Sequence, residues 1–134
     1  MSGEFAGGCL CGAVRFRIDG AFEGFFLCHC SRCRRATGSA HAANLFSGTG
    51  QITWESGDTL RRAFRLDGTR FERCFCATCG GALPVVRPEG GLVVPAGCLE
   101  GPVGLRPGAH ICWQSRADWD DALEELARLD GLPG

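Results

Sequence analysis

The clearest pattern along this chain is a two-residue alternation near its start. Val14, Phe16 and Ile18 alternate with Arg15 and Arg17, the period of a half-buried strand whose successive side chains point to opposite faces. Further strands are predicted over 22–27, 41–46, 51–55, 60–66, 70–75, 82–87, 92–96 and 109–114. Gly20, Gly48-Thr49-Gly50, Gly57-Asp58, Asp67-Gly68 and Glu89-Gly90-Gly91 punctuate these segments; Gly and Asp favour turns because they accept the backbone angles that turns require. The 21 glycines are spread throughout, which fits an all-β protein with many turns.

The end of the chain follows a different period. From Trp119, apolar residues recur at Ala122, Leu123, Leu126, Ala127 and Leu129, which is helical spacing. Asp118 can cap the start, and Gly131 and Pro133 stop the segment. The pattern predicts a short C-terminal helix packed on the sheets.

A length of 134 residues suits a single domain, 1–134, with a modest core. The formal net charge of -1 gives no chain-level attraction to nucleic acid or to a membrane surface. No apolar run approaches membrane-spanning length. All 14 basic residues are Arg, the side chain better suited to carboxylate recognition. The count that changes the picture is cysteine, at 10. Met1-Ser2-Gly3-Glu4-Phe5 lacks the basic start and apolar run of a signal peptide. A cytoplasmic setting is therefore expected, and reduced thiols in such numbers point to metal or redox chemistry.

Cys76-Ala77-Thr78-Cys79-Gly80-Gly81 reads as a zinc knuckle. Two cysteines separated by two residues can place both sulfurs on one metal, and the following Gly accepts a positive φ. Cys9-Leu10-Cys11-Gly12 is a second pair that also ends in Gly. Together Cys9, Cys11, Cys76 and Cys79 supply the four thiolates of a closed structural zinc site. A disulfide between Cys9 and Cys11 would be strained, and the strand pattern around Cys76 and Cys79 is not the βαβ setting of a thioredoxin-like redox pair.

Cys28-His29-Cys30-Ser31-Arg32-Cys33-Arg34-Arg35 offers three more thiolates within six residues. Three protein ligands with an open fourth position is the pattern of catalytic zinc. Arg32, Arg34 and Arg35 would lower thiol pKa and could hold an anionic ligand. A structural site completed by His29 or by another cysteine is an alternative, as are three empty thiols. Cys74 is expected to share a face with Cys76 as a spare thiol, while Cys98 and Cys112 read as small buried apolar residues. His41 and His110 read as satisfied core or surface histidines, and Trp54, Trp113 and Trp119 as core.

Three motifs in this order carry a resemblance. Gly8-Cys9-Leu10-Cys11-Gly12-Ala13-Val14-Arg15-Phe16, Cys28-His29-Cys30-Ser31-Arg32-Cys33-Arg34 and Phe75-Cys76-Ala77-Thr78-Cys79-Gly80 resemble the glutathione-dependent formaldehyde-activating enzyme family, which includes the centromere protein V domain. The stretch from His110 to Trp119 is similar to that family's closing segment. The resemblance implies small twisted antiparallel sheets meeting around zinc, a β-tent. It implies a structural zinc on Cys9, Cys11, Cys76 and Cys79 and a second zinc on Cys28, Cys30 and Cys33, hence two per chain unless the second site is empty. It further implies a small thiol substrate such as glutathione, and carbon–sulfur lyase or synthase chemistry on a thiol–aldehyde adduct such as S-hydroxymethylglutathione. The alternative is a non-catalytic zinc module that binds a thiol peptide or a protein partner.

Overall fold

The computed structural model describes residues 2–134. Eleven short strands form three small sheets. The first holds β1 (Ser2–Gly8), β2 (Arg15–Ala21) and β5 (Gln51–Ser56) in the order β1-β2-β5. The third is β6 (Arg61–Arg65), β7 (Glu72–Cys76) and β8 (Ala82–Leu83) in sequence order. The second, of five strands, contains β3 (Gly24–Cys28), β4 (Ala42–Ser47), β9 (Val85–Val86), β10 (Leu92–Pro95) and β11 (Ala109–Ile111), ordered β11-β3-β4-β10-β9. Every pairing is antiparallel except β11 with β3, which is parallel. The fold is thus mainly β, as the alternation predicts.

The inward face of β2 seeds the core. Val14, just before the strand, and Phe16 are wholly buried, and Ile18 is 1% exposed. They pack with Leu45, Leu92 and Val94 of the five-stranded sheet, with Leu83 of the third sheet, with Phe22 between β2 and β3, and with Cys74 and Cys76 of β7. Trp54 on β5 meets Phe16 edge-on, with ring centroids 5.7 Å apart, and the Arg61 guanidinium lies over the Trp54 ring at 4.0 Å.

Two elements lie outside the sequence expectation. Strand β1 is glycine-rich, and its place in the sheet depends on close approach. A Cβ at Gly7 would collide with the Cys98 carbonyl and the Phe16 ring. A seven-residue helix, α1 (Ser31–Thr37), occupies the second cysteine motif and ends at Gly38 in the left-handed conformation, φ 66°.

The expected C-terminal helix is replaced by one 3-10 turn, Leu123–Glu125. Ala122 has φ 51°, which breaks the helical path. Trp119, Leu126 and Leu129 are 60%, 62% and 61% exposed, so no sheet receives the apolar stripe. A helix of about a dozen residues is marginal without tertiary packing. Trp119 is therefore a surface residue, and Trp113 is exposed as well; of the three tryptophans, Trp54 alone packs against the main core.

Removing Phe16 takes a ring from the point where the sheets meet. Phe16→Ala is expected to destabilise the protein by about 3–5 kcal/mol, whereas truncation after Asp121 should leave the urea midpoint nearly unchanged. Urea unfolding of both variants checks this contrast.

Candidate metal and substrate site

The β1–β2 turn and the β7–β8 turn carry the first sulfur group. The Sγ atoms of Cys9, Cys11, Cys76 and Cys79 all lie within 4.8 Å of one another. Cys9 and Cys11 Sγ are 3.7 Å apart, close to the edge of about 3.8 Å that a tetrahedron with Zn–S bonds of 2.3 Å requires. Backbone N–H groups surround the sulfurs. Val14 donates to Cys9 at 3.3 Å, Thr78 to Cys76 at 3.3 Å, and Cys11 and Gly81 to Cys79 at 3.4 Å each. Gly12 and Gly80, which follow the cysteine pairs, have φ 81° and 73°, as the motif requires. All ten cysteines are free thiols.

The electrostatics of this group call for a cation. Donation from the Cys11 and Gly81 N–H groups brings the Cys79 thiol down to about 6. Burial resists ionisation of Cys9, but the Val14 N–H and the neighbouring thiols outweigh it and lower the group. At Cys11 the Ala13 N–H favours the thiolate, yet burial and the adjacent Cys9 and Cys79 sulfurs push the thiol up to about 11. Four sulfurs this close do not ionise together unless a positive charge sits among them.

The second group is built over one short stretch. Cys28 ends β3, Cys30 is the N-cap of α1, and Cys33 lies in its first turn. The Cys30 sulfur accepts from the Cys33 N–H at 3.3 Å. Positions i and i+3 share a helix face, so the three sulfurs converge within 4.8 Å of one another. Cys30 is drawn down: burial opposes its ionisation, but the Cys33 N–H and the flanking thiols prevail. Burial raises Cys28 and, much further, Cys33.

His29, between these cysteines, is 1% exposed and serves a different network. Its Nε2 lies 2.8 Å from His110 Nδ1, and its Nδ1 lies 2.9 Å from Asp120 Oδ2. The latter is a close polar approach without the alignment of a hydrogen bond. Trp113 stacks edge-on at 4.8 Å and His41 at 5.1 Å. This network ties the second cysteine segment to the C-terminal strand. Sequence reading missed Asp120 because an acidic residue in an apparent helix looked like surface.

A cleft of about 480 Å³ opens beside the second group. Cys28, Cys30, Cys33 and Arg32 line it, together with Arg65, Arg70, Arg87, Glu72 and Glu89. Arg34 and Arg35 do not line it; they occupy the last turn of α1. The added guanidinium groups come from β6, from the β6–β7 loop and from beyond β9, so no local motif announced them. Arg65 pairs with Glu72 at 3.3 Å and Arg70 with Glu89 at 3.4 Å. A smaller, mostly apolar cavity of about 180 Å³ adjoins it, sharing Cys33, Asn44 and Phe71 and adding His41 and Cys74.

Of the other thiols, Cys74 is buried on the inner face of β7 with Cys76. Burial holds Cys98 up at about 12. Cys112 departs from expectation: it is exposed, with φ 54°.

Three small β-sheets with two convergent cysteine groups, each able to hold a metal ion, define a mainly β protein of the metal-site class. The family model for glutathione-dependent formaldehyde-activating enzymes matches residues 4–115, and the chain belongs to that family. A Halomonas elongata protein is 33% identical over 121 residues, covering 84% of this chain and 77% of its own; its name offers glutathione-dependent formaldehyde activation as a proposed activity. A crystal structure of a Rhodobacter sphaeroides protein aligns with a TM-score of 0.56 at 26% identity, covering 78% of this chain and 98% of that one. No helix among the described residues is long and apolar enough to cross a membrane.

Asp120→Ala leaves the buried His29 ring without its carboxylate. The expected cost is about 1–3 kcal/mol, the penalty for stranding a buried polar group, read from urea unfolding of metal-loaded protein.

Proposed function

We propose that this chain is a zinc-dependent enzyme that makes or breaks the carbon–sulfur bond of a thiol–aldehyde adduct, with S-hydroxymethylglutathione as the model substrate. The observation that carries this reading is the three-thiol group opening onto a cleft lined by arginine. In this reading Cys9, Cys11, Cys76 and Cys79 hold a structural zinc and Cys28, Cys30 and Cys33 a second one. The donor sets suit zinc: all sulfur, closely spaced and furnished with N–H donors. A zinc ion at the second group supplies the pull that keeps a bound thiol in its thiolate form.

The chain's own residues do the rest. Arg32, Arg65, Arg70 and Arg87 offer guanidinium groups for the carboxylates of a thiol peptide. Glu72 and Glu89 offer acceptors for its ammonium group. Breaking the adduct releases an aldehyde and returns the hydroxyl proton to the sulfur, so a group must carry that proton. We assign this to His41. It lines the adjoining cavity, its buried Nδ1 has no protein partner, and burial followed by the neighbouring His29 lowers its pKa, leaving it neutral and able to accept a proton near pH 7. Ten free thiols suit a reducing compartment such as the cytoplasm.

Exchange NMR of glutathione and formaldehyde with zinc-loaded protein tests the activity. Acceleration over the spontaneous exchange supports it, and saturable glutathione binding without acceleration favours a non-catalytic thiol-binding module. His41→Gln should lower kcat by roughly 10²-fold with little change in KM. Cys76→Ser should release zinc and unfold the domain, whereas Cys30→Ser should keep the circular dichroism spectrum and lose activity. Equal destabilisation by both would make the second group structural.

A further inference from the structure

We propose that Cys112 is the resident fourth ligand of the metal at Cys28, Cys30 and Cys33, and that an incoming substrate thiol displaces it. The inference rests on the two-zinc reading above and assigns the position that reading leaves open.

Strand register brings Cys112 to the site. β11 runs parallel to β3 with Ile111 beside Cys28, and the His29 N–H donates to the Ile111 carbonyl at 2.9 Å. The residue after Ile111 therefore emerges at the same end of the sheet as the cysteine motif. Ile111 itself lines the large cleft. This register places the Cys112 side chain beside that of Cys28.

The backbone at Cys112 is a second, separate observation. Its φ of 54° and ψ of 37° are left-handed, a conformation that residues with a Cβ adopt only uncommonly. The strand stops at Ile111 and the chain turns into the 3-10 segment Trp113–Ser115. Trp113 is anchored on the His29 and His110 rings. The turn thus sets a thiol, rather than the glycine that would be free of strain, next to Cys28.

Cys112 is also suited to exchange. It stands outside the group of three sulfurs that lie within 4.8 Å of one another, and it is exposed. The first site, by contrast, has all four sulfurs in mutual contact. Cys74 and Cys98, the other spare thiols, have no such placement: one is buried in β7 and the other is held protonated by burial. The exchange balances without an oxidant or reductant. The incoming thiol gives up its proton, its sulfur takes the place of the Cys112 sulfur, and the released Cys112 thiolate takes up a proton. The charge at the site is the same before and after. A fourth thiolate in the resting state also keeps water from the position that the substrate sulfur needs.

Cadmium-113 NMR of the reduced, cadmium-loaded full chain tests this without reference to activity. Wild type should give two resonances in the four-thiolate range. Cys112→Ser should move one of them to the three-thiolate range and leave the other in place. Chelator competition should show zinc held at least about tenfold more weakly at that site, since losing even an outer partner of a metal ligand costs on that order. Adding glutathione to the wild-type metal-loaded protein should retain both metals while raising the rate at which iodoacetamide labels Cys112. A wild-type spectrum with one three-thiolate resonance, unmoved by Cys112→Ser, overturns the proposal and leaves the two-site reading standing. A single four-thiolate resonance, with the second group bare, overturns both.

Discussion

Four sulfur atoms drawn from two remote turns share a space less than 5 Å across, and the rest of the molecule is arranged around that crowding. Such thiols are mutually repulsive once ionised, and the N–H groups aimed at them favour ionisation. A cation placed among them would resolve the conflict and turn repulsion into a link between the first and third sheets. The hydrophobic core alone is small: β2 contributes Phe16 and Ile18, and the other two sheets add three buried side chains each. In a protein of this size a metal that binds only the folded chain adds its binding free energy to stability.

The second group obeys a different logic. Its three sulfurs come from one strand end and one helix start, so holding them together joins no distant parts of the chain. What fixes the segment in space is His29, turned away from the sulfurs and wedged among His110, Asp120 and Trp113. The two groups are nevertheless coupled. The first group joins the β6-β7-β8 sheet to the β1–β2 turn, and that sheet, with Phe71 just before β7, carries Arg65 and Glu72 on one wall of the cleft into which Cys28, Cys30 and Cys33 open. A metal held by the first group would thereby bear on the width of the cleft beside the second.

The cleft joins charge recognition to chemistry over a short distance. Four guanidinium groups and two carboxylates surround the larger space, while the adjoining cavity is mostly apolar and holds His41. In the proposed reaction, a zwitterionic thiol with carboxylates would occupy the first and the aldehyde-derived carbon the second. Arg65 pairs with Glu72 and Arg70 with Glu89 on this wall, while Arg32 is free of any such pairing among the described residues.

Local chemistry wrote much of this into the sequence. The alternation at Val14, Phe16 and Ile18 marked a strand because one buried face imposes a period of two. The paired cysteines marked metal sites because chelation by neighbours in sequence needs a fixed spacing and a following glycine. Strand β1 escaped notice because Gly7 is there for close approach to the Phe16 ring and to the Cys98 carbonyl, the latter a partner remote in sequence. The apolar stripe after Trp119 promised a helix, but periodicity records only the capacity for one. No sheet face was left to receive it, and Ala122 turned the chain away. The arginines of the cleft, the link from His29 to Asp120 and the approach of Cys112 to Cys28 were likewise decided by tertiary structure alone. Each joins residues that are far apart in sequence, and only the register of β11 on β3 and the packing of the third sheet bring them together.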